Sequence, residues 1–248
     1  MYKIKTTYAK SLLFIVTCMV ANTLYANNEI HHPFNDILSA SVKNGKVNYK
    51  AIRNNLSFAS YVESLKTKPT FTNQNEALAY WINSYNAWVI QGILDGGSPS
   101  TFFGRKSFFK GNKYQLAGMK INLNDLERKV IIPIGEPRIH FAINCAYSSC
   151  PKLIPEVYPE VFNAEIIDQQ LTQAAKFFIN DTTRNHFDPE MKIASISKIF
   201  DWFEEDFIKH SGSVQKYLAQ YVMDENIANN LQAGNYKIKY LHYDWSLN

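Results

Sequence analysis

The pattern of apolar and polar positions predicts helices along most of the chain, with a few short strands between them. The clearest helix runs from Glu76 to Leu94, where large apolar residues recur every three to four positions and Gly96-Gly97 follow. Further helices are predicted in residues 47–65 after an extended start, and over 122–131, 164–179, 197–207 and 214–223, with short strands at 113–116, 191–194 and 236–241. This mixture indicates an α+β fold, predominantly helical with a small sheet of short strands.

The first residues have the pattern of an export signal. Three lysines come first: Lys3, Lys5 and Lys10. They precede an apolar run over residues 11–20, which is too short to span a bilayer. We therefore predict a signal peptide over residues 1–26, with cleavage after Ala21 as the alternative, and a periplasmic or secreted protein without a stable membrane span after cleavage.

The residues after this leader are predicted to form one domain. Residues 27–37 are mostly polar and are expected to be an N-terminal arm, in which His31 and His32 are solvated rather than bound to a metal. Residues 38–248 are then a single domain, long enough to bury a core without covalent cross-links.

The charge balance argues against nucleic acid as a partner. The formal net charge is +4, and loss of the three leader lysines with no acidic residue lowers it to about +1. Residues 98–121 mix lysines with two phenylalanine pairs, a combination that also occurs in single-strand binders. Without a net basic surface, we interpret this stretch as a loop pinned by aromatic packing.

Residues 138–151 contain the most versatile group of side chains. Apolar and other residues alternate there, so a strand is predicted in which His140 and Asn144 share one face while Cys145 points away. Cys150 follows a turn that is able to return it to His140. Pro151 favours a helix start, at which Cys150 would be an N-cap with a lowered thiol pKa.

Two cysteines outside the leader, Cys145 and Cys150, leave other interpretations open. In an exported chain such a pair usually forms a disulfide, although a loop this short adds little chain-entropy stabilisation. The pair is also compatible with two inert thiols. Metal binding is weaker, because His140, Cys145 and Cys150 provide three ligands on opposite faces of the strand, with no fourth. No cofactor is predicted.

Three asparagines and one glutamate complete the predicted site. Asn83 and Asn86 lie three residues apart on one face of the strongest helix. Either they tie down a neighbouring loop, since buried amides must be hydrogen-bonded, or one donates to a carbonyl or oxyanion. Asn144 is predicted to orient groups around His140. Glu127 is a further orienting candidate, although a lone carboxylate is more often a surface residue.

Five stretches resemble a family of domains of unknown function, DUF547. They are 79–87 (AYWINSYNA), 123–127 (LNDLE), 138–151 (RIHFAINCAYSSCP), 196–207 (ISKIFDWFEEDF) and 243–248 (YDWSLN). The resemblance implies a domain that occurs in exported bacterial proteins. The family pattern is matched in this chain at Asn83, Asn86, Glu127, His140, Cys145 and Cys150. The resemblance does not imply a particular activity.

Two functions are predicted from these observations. The first is a thiol-dependent amide hydrolase or acyl transferase, with Cys150 as nucleophile and His140 as base. The second is a non-catalytic binding or scaffold domain in which Cys145 and Cys150 are structural. Either would act on an unidentified small-molecule or peptide ligand.

Overall fold

The computed structural model describes residues 30–155 and 164–248. It is about 53% helical with 11% strand in small sheets, which confirms the predicted α+β class. The predicted signal peptide lies outside the described residues. Within the described residues, none of the helices has the length and apolar character needed to cross a membrane.

The helices are mostly short. The α-helices are α1 His32–Ser41, α2 Tyr49–Ile52, α3 Leu56–Ser64, α4 Gln74–Leu94, α5 Phe102–Lys106, α6 Leu123–Leu126, α7 Ala164–Ile179, α8 Ile199–Trp202, α9 Glu204–Ser211, α10 Val214–Ala219 and α11 Glu225–Gln232. Two π-helical turns cover Ser107–Gly111 and Glu127–Ile131, and two 3-10 turns cover Ile132–Ile134 and Pro137–Phe141.

The strands form three small sheets. They are β1 Val42–Lys43, β2 Lys46–Val47, β3 Tyr114–Leu116, β4 Met119–Ile121, β5 His186–Asp188, β6 Ile193–Ile196 and β7 Lys237–Tyr240. The pairs β1–β2 and β3–β4 are antiparallel. In the third sheet β6 lies between antiparallel β5 and parallel β7.

Helix α4 lies at the centre of the fold and matches the strongest prediction. Its N-cap Asn73 accepts a hydrogen bond from the backbone N–H of Glu76 at 2.9 Å. Residues on nearly all sides of the helix are buried, so it presents no polar face. It ends where Gly96 adopts a φ of +89°, a conformation that glycine takes without strain.

Two hydrophobic clusters make up the core. The first surrounds α1, α3 and α4, and the second surrounds α7 to α10 and the third sheet. Residues 137–150 run between them. Ile139 and Ile143 pack in the first cluster, whereas Phe141, Tyr147 and Cys150 pack in the second.

The predicted strand in this bridging segment is wrong. Residues Pro137–Phe141 form a 3-10 turn, begun by Glu136, whose carboxylate accepts a hydrogen bond from the Arg138 backbone N–H at 3.0 Å. The segment is buried against a cluster on each side. Alternating apolar residues are therefore compatible with a tight helical turn as well as with a strand.

The expected N-terminal arm is also corrected over residues 30–37. Helix α1 begins within it and buries Phe34, Ile37 and Leu38, whose spacing places them on one helix face. His31, predicted to be solvated, is 2% exposed and pairs with the hydroxyl of Tyr61.

The expected aromatic loop is helical over residues 102–111. Phe108 is buried in the core, as aromatic packing predicts, but Phe102 and Phe103 are exposed. Thr101 caps this helix by accepting a hydrogen bond from the Gly104 backbone N–H.

Candidate functional site

A cavity of about 410 Å³ is lined by two of the predicted site residues, Glu127 and His140, together with Cys145, which was expected to point away from His140. Its walls come from α4, α5, α6, both π-helical turns, the 137–151 segment, α8 with Phe203, and the C-terminal residues. Cys150 does not line this cavity. The predicted pairing of Cys150 with His140 is therefore replaced by an arrangement in which Cys145 shares the cavity with His140.

His140 is held in a fixed orientation by its neighbours. Its side chain is 1% exposed, and its Nε2 lies 2.8 Å from the Asp206 carboxylate. The ring stacks on Phe203 at 4.0 Å and meets Phe207 edge-on at 5.5 Å. The fold thus places a histidine and a carboxylate side by side, from segments 66 residues apart.

The protonation state of His140 follows from these contacts. Burial lowers the pKa of the imidazole, and the hydrogen bond with Asp206 opposes that effect. In the neutral ring, Nε2–H donates to Asp206, so Nδ1 carries the lone pair. Nδ1 is buried and has no hydrogen-bond partner among the described residues. It is a base without a bound proton or donor.

Glu127 begins the second π-helical turn, a feature often found at functional sites. The turn continues α6, whose N-cap Asn122 accepts a hydrogen bond from the Asp125 backbone N–H. Burial raises the pKa of the Glu127 carboxyl to about 7, with Arg128 lowering it and Asp206 raising it. The residue is partly exposed and lines the cavity, so its carboxyl is available there in both protonation states near neutral pH.

The two cysteines form a disulfide. Cys150 is 1% exposed and packs in the second core cluster, whereas Cys145 is half-buried. The hydroxyl of Tyr243 lies 3.1 Å from the Cys150 sulfur and 3.5 Å from that of Cys145. Of these two cysteines, Cys145 lines the cavity and Cys150 does not.

The expected helix N-cap at Cys150 is absent. Residues 151–155, which follow it, are not helical. Pro151 and Pro155 leave no room for a regular helix between them, because a helix disfavours an interior proline and the residue before it. Residues 151–155 therefore provide no helix N-terminus at the Cys150 sulfur.

The asparagines bind the backbone of the cysteine loop. Asn86 donates to the Ala142 carbonyl at 3.1 Å and accepts from the Asn144 backbone N–H at 2.8 Å. Asn144 donates to the Pro151 carbonyl at 2.7 Å and accepts from the Ala146 N–H at 2.8 Å. These contacts correspond to the loop-tying interpretation. Asn83 is buried one turn before Asn86, and its predicted orienting role stays a prediction.

Aromatic and cationic side chains form much of the remaining wall. Trp202, Tyr243 and Trp245 pack together, with ring centroids 4.5–5.4 Å apart. Arg105 lies over the Trp245 ring at 4.3 Å, and Arg128 over Phe203 at 5.4 Å. The cavity is suited to an apolar or aromatic ligand that carries a negative charge.

Sequence reasoning did not identify Asp206, Tyr243 or Trp245 as site residues. All three lie in the stretches 196–207 and 243–248 that carry the family resemblance. Nothing in their spacing relates them to His140, because only the tertiary fold brings these segments together. Among the described residues, no group of three His, Cys, Asp or Glu side chains is arranged to hold a metal ion.

Comparison with known proteins identifies the family of the central segment. A search of curated proteins and a search of solved structures found no match to the chain. The model of the family described as "Protein of unknown function, DUF547" matches residues 69–179, a range that includes the stretches 79–87, 123–127 and 138–151. The resemblance is confirmed there. Residues 69–179, slightly less than half of the chain, are thus similar to the DUF547 family.

Proposed function

We propose that this protein is a thiol-dependent amide hydrolase or acyl transferase, with Cys145 as nucleophile after reduction of its disulfide and His140 as base. One observation carries the proposal. His140, whose Nε2 is held by Asp206 and whose buried Nδ1 has no described partner, lines the same cavity as Cys145. Activation of a thiol by an imidazole base requires a ring held in one orientation with one nitrogen left to accept the thiol proton.

Reduction of the disulfide is the first step of the proposed cycle. A dithiol attacks the Cys145–Cys150 bond, and exchange releases two protein thiols while the reductant becomes a disulfide. Cys145 then offers its sulfur to the cavity. Cys150 stays in the core and serves as the resolving thiol when the disulfide re-forms.

The acyl-transfer step uses the two nitrogens of His140. Nδ1 takes the Cys145 thiol proton, and the thiolate forms a carbon–sulfur bond to the substrate carbonyl. The carbon–nitrogen bond then breaks, and the leaving amine takes the proton back. Water or an acceptor amine attacks the thioester and restores the thiol. Asp206 stabilises the imidazolium, and protonated Glu127 donates a hydrogen bond to the carbonyl oxygen.

Two single cysteine variants test this proposal. The reduced, desalted wild type is expected to be acetylated by p-nitrophenyl acetate with a burst of one equivalent, located on Cys145 by mass spectrometry. Cys145→Ser abolishes the burst. Cys150→Ser, the matched control, keeps the burst and no longer needs reduction, because its Cys145 has no disulfide partner.

The other outcomes contradict the proposal. A burst that persists in Cys145→Ser and disappears in Cys150→Ser would return the nucleophile to Cys150. Absence of acetylation in both reduced wild type and Cys150→Ser would exclude thiol catalysis with this ester. Iodoacetamide labelling across pH provides a second readout, in which His140→Gln shifts the labelling of Cys145 to higher pH than in the wild type.

The second candidate is a ligand-binding domain without catalysis, and the disulfide favours it. A nucleophile that stays in a stable disulfide does not react. In this alternative the aromatic wall and Arg105 hold an anionic small molecule or peptide end. Two cysteines that neither reduce under mild dithiol treatment nor label would support it.

Export from the cytoplasm remains part of the proposal. A disulfide agrees with an oxidising compartment, and the leader predicted at residues 1–26 lies outside the described residues. Fractionation of cells that express the chain tests export, and N-terminal sequencing of the protein in each fraction tests cleavage of the leader. An intact N-terminus in the cytoplasmic fraction would contradict export.

A further inference from the structure

Helix α5 begins with two phenylalanines that the core does not cover. Phe102 is 68% exposed and Phe103 is 80% exposed, and their rings meet edge-to-face at 5.5 Å. Leaving two adjacent aromatic rings in water forgoes about 1.5–3 kcal/mol of burial free energy for each. A pair of this kind is unusual on a solvated surface and indicates a partner.

The same segment has an uncompensated positive charge. Between Asp95 and Asp125 the sequence has no acidic residue, and it has five basic ones: Arg105, Lys106, Lys110, Lys113 and Lys120. None of these five forms an ion pair with a described residue. Lys106, Lys110 and Lys113 are exposed.

The phenylalanines and lysines are neighbours in space. Phe103, Lys106 and Lys110 line one shallow depression on the surface, together with Ser107 and Gly111. Helical spacing of three to four residues accounts for this adjacency. The result is a compact patch, here called the Phe–Lys patch, made of Phe102, Phe103, Lys106 and Lys110.

We propose that the Phe–Lys patch binds the surface of an anionic lipid bilayer. Phe102 and Phe103 enter the boundary between headgroups and acyl chains, and Lys106 and Lys110 stay at the level of the anionic headgroups. A compact patch fits a planar surface. Binding of single-stranded nucleic acid uses a groove along which bases stack in succession, and a single edge-to-face pair does not provide one.

The patch adjoins the candidate site. Phe102, Arg105, Lys106 and Lys110 also line the cavity that contains His140. A protein bound through the patch would therefore hold its cavity beside the lipid headgroups. The proposal does not depend on thiol chemistry, since none of the patch residues takes part in it.

Vesicle sedimentation tests the proposal with the whole chain. Wild type is expected to bind vesicles made of equal parts phosphatidylcholine and phosphatidylglycerol, and to bind vesicles of phosphatidylcholine alone much less. Binding should weaken when the salt concentration rises above 0.1 M, because the screening length, ~10 Å at 0.1 M, then becomes shorter. The double variants Phe102→Ser with Phe103→Ser, and Lys106→Gln with Lys110→Gln, should each weaken binding roughly tenfold or more.

Matched controls separate the patch from general surface effects. Phe177→Ser changes another phenylalanine, 73% exposed, and Lys43→Gln with Lys46→Gln removes two exposed lysines at the β1–β2 hairpin. Both controls should bind as wild type does. All variants carry the same residues 1–29, so differences between them report on the substituted positions. Thermal unfolding by circular dichroism checks that each is folded.

Three outcomes would overturn the proposal. They are unchanged binding in both patch variants, equal loss in the controls, or equal binding to neutral and anionic vesicles. Binding of single-stranded RNA that is sensitive to the patch variants, with no vesicle binding, would assign the patch to nucleic acid instead.

Discussion

At the scale of single residues, the site places two carboxyl groups in different surroundings. Asp206 is hydrogen-bonded to the His140 ring. Burial raises the pKa of Glu127 to about 7; Arg128 opposes this rise, and the negative charge of Asp206 adds to it. Two carboxyls with different environments are able to take different roles, one fixing a histidine and the other exchanging a proton.

The raised pKa of Glu127 makes stability depend on pH. Its ordinary pKa is 4.5, and in the folded chain it is about 7, so between these values the folded state binds the extra proton. Glu127 therefore contributes stability below pH 4.5 that is lost as pH rises through 7. Glu127→Gln does not titrate and so does not lose this stability. Its free energy of unfolding relative to wild type should therefore rise by about 1–2 kcal/mol from pH 5 to pH 8, a figure discounted for the partial exposure of Glu127.

Urea unfolding of the two proteins at both pH values measures this gain. Glu190→Gln, a substitution at an exposed position, serves as the control and should show no such change. An identical difference between Glu127→Gln and wild type at pH 5 and pH 8 would contradict the assignment of a raised pKa to Glu127.

Asn86 should contribute to stability through its two loop contacts. Asn86→Ala removes the donor to the Ala142 carbonyl and the acceptor of the Asn144 N–H, both buried. We expect a loss of about 2–4 kcal/mol in the free energy of unfolding, since each buried group left unsatisfied costs about 1–3 kcal/mol. Asn229→Ala, at an exposed helix position, should change stability by less than about 0.5 kcal/mol. A similarly small effect at Asn86 would show that water replaces its bonds.

At the scale of elements, the cysteine loop is held by more than its disulfide. Ser148 N–H donates to the Ser246 carbonyl at 2.8 Å, and Tyr147 bridges Leu247. Arg184 donates to the carbonyls of Ser148 at 2.7 Å and Cys150 at 3.0 Å. Reduction therefore leaves most of the loop's anchors in place.

The double variant Cys145→Ser with Cys150→Ser tests this anchoring. Loss of such a short cross-link should lower the free energy of unfolding by about 2 kcal/mol, and the far-UV circular dichroism should stay that of the wild type. Reduced wild type is the matched control and should unfold at nearly the same urea concentration. Loss of the folded state in the double variant would show that the disulfide is required for the loop.

The elements that sequence predicted well share one property. Helix α4 and helix α7 were expected at 76–94 and 164–179, and the structure has them at Gln74–Leu94 and Ala164–Ile179. Each is long enough for its apolar spacing to be unambiguous. The predicted helix at 197–207 is divided into α8 and α9, and Ser197, just before α8, accepts a hydrogen bond from the Ile199 N–H. Short apolar runs such as 138–145 do not distinguish a strand from a turn.

At the scale of the whole molecule, the 137–150 segment joins the two core clusters. Some of its side chains pack in the first cluster and others in the second, so the clusters share a backbone segment. We therefore expect them to unfold together. This bears on the prediction that residues 38–248 form a single domain.

Phe141→Ala tests this cooperativity. Phe141 is 2% exposed in the second cluster, and its truncation should cost about 3–5 kcal/mol. Fluorescence and far-UV circular dichroism should still report one transition at a lower urea midpoint. Phe177→Ala, at an exposed phenylalanine, should move the midpoint little. Two separated transitions would contradict cooperative unfolding and divide the chain into two domains.

The sequence by itself determined the fold class, the long helices and the family resemblance, because these depend on local periodicity and on residue order. It also selected Glu127 and His140, which line the cavity, as site candidates, together with Cys150, which does not. Only the tertiary structure decided that Cys145 rather than Cys150 faces the cavity, that Asp206 holds His140, and that Tyr243 touches both sulfurs. Those contacts join segments from 66 to 98 residues apart. Their geometry depends on how the two clusters pack, and local spacing carries no information about it.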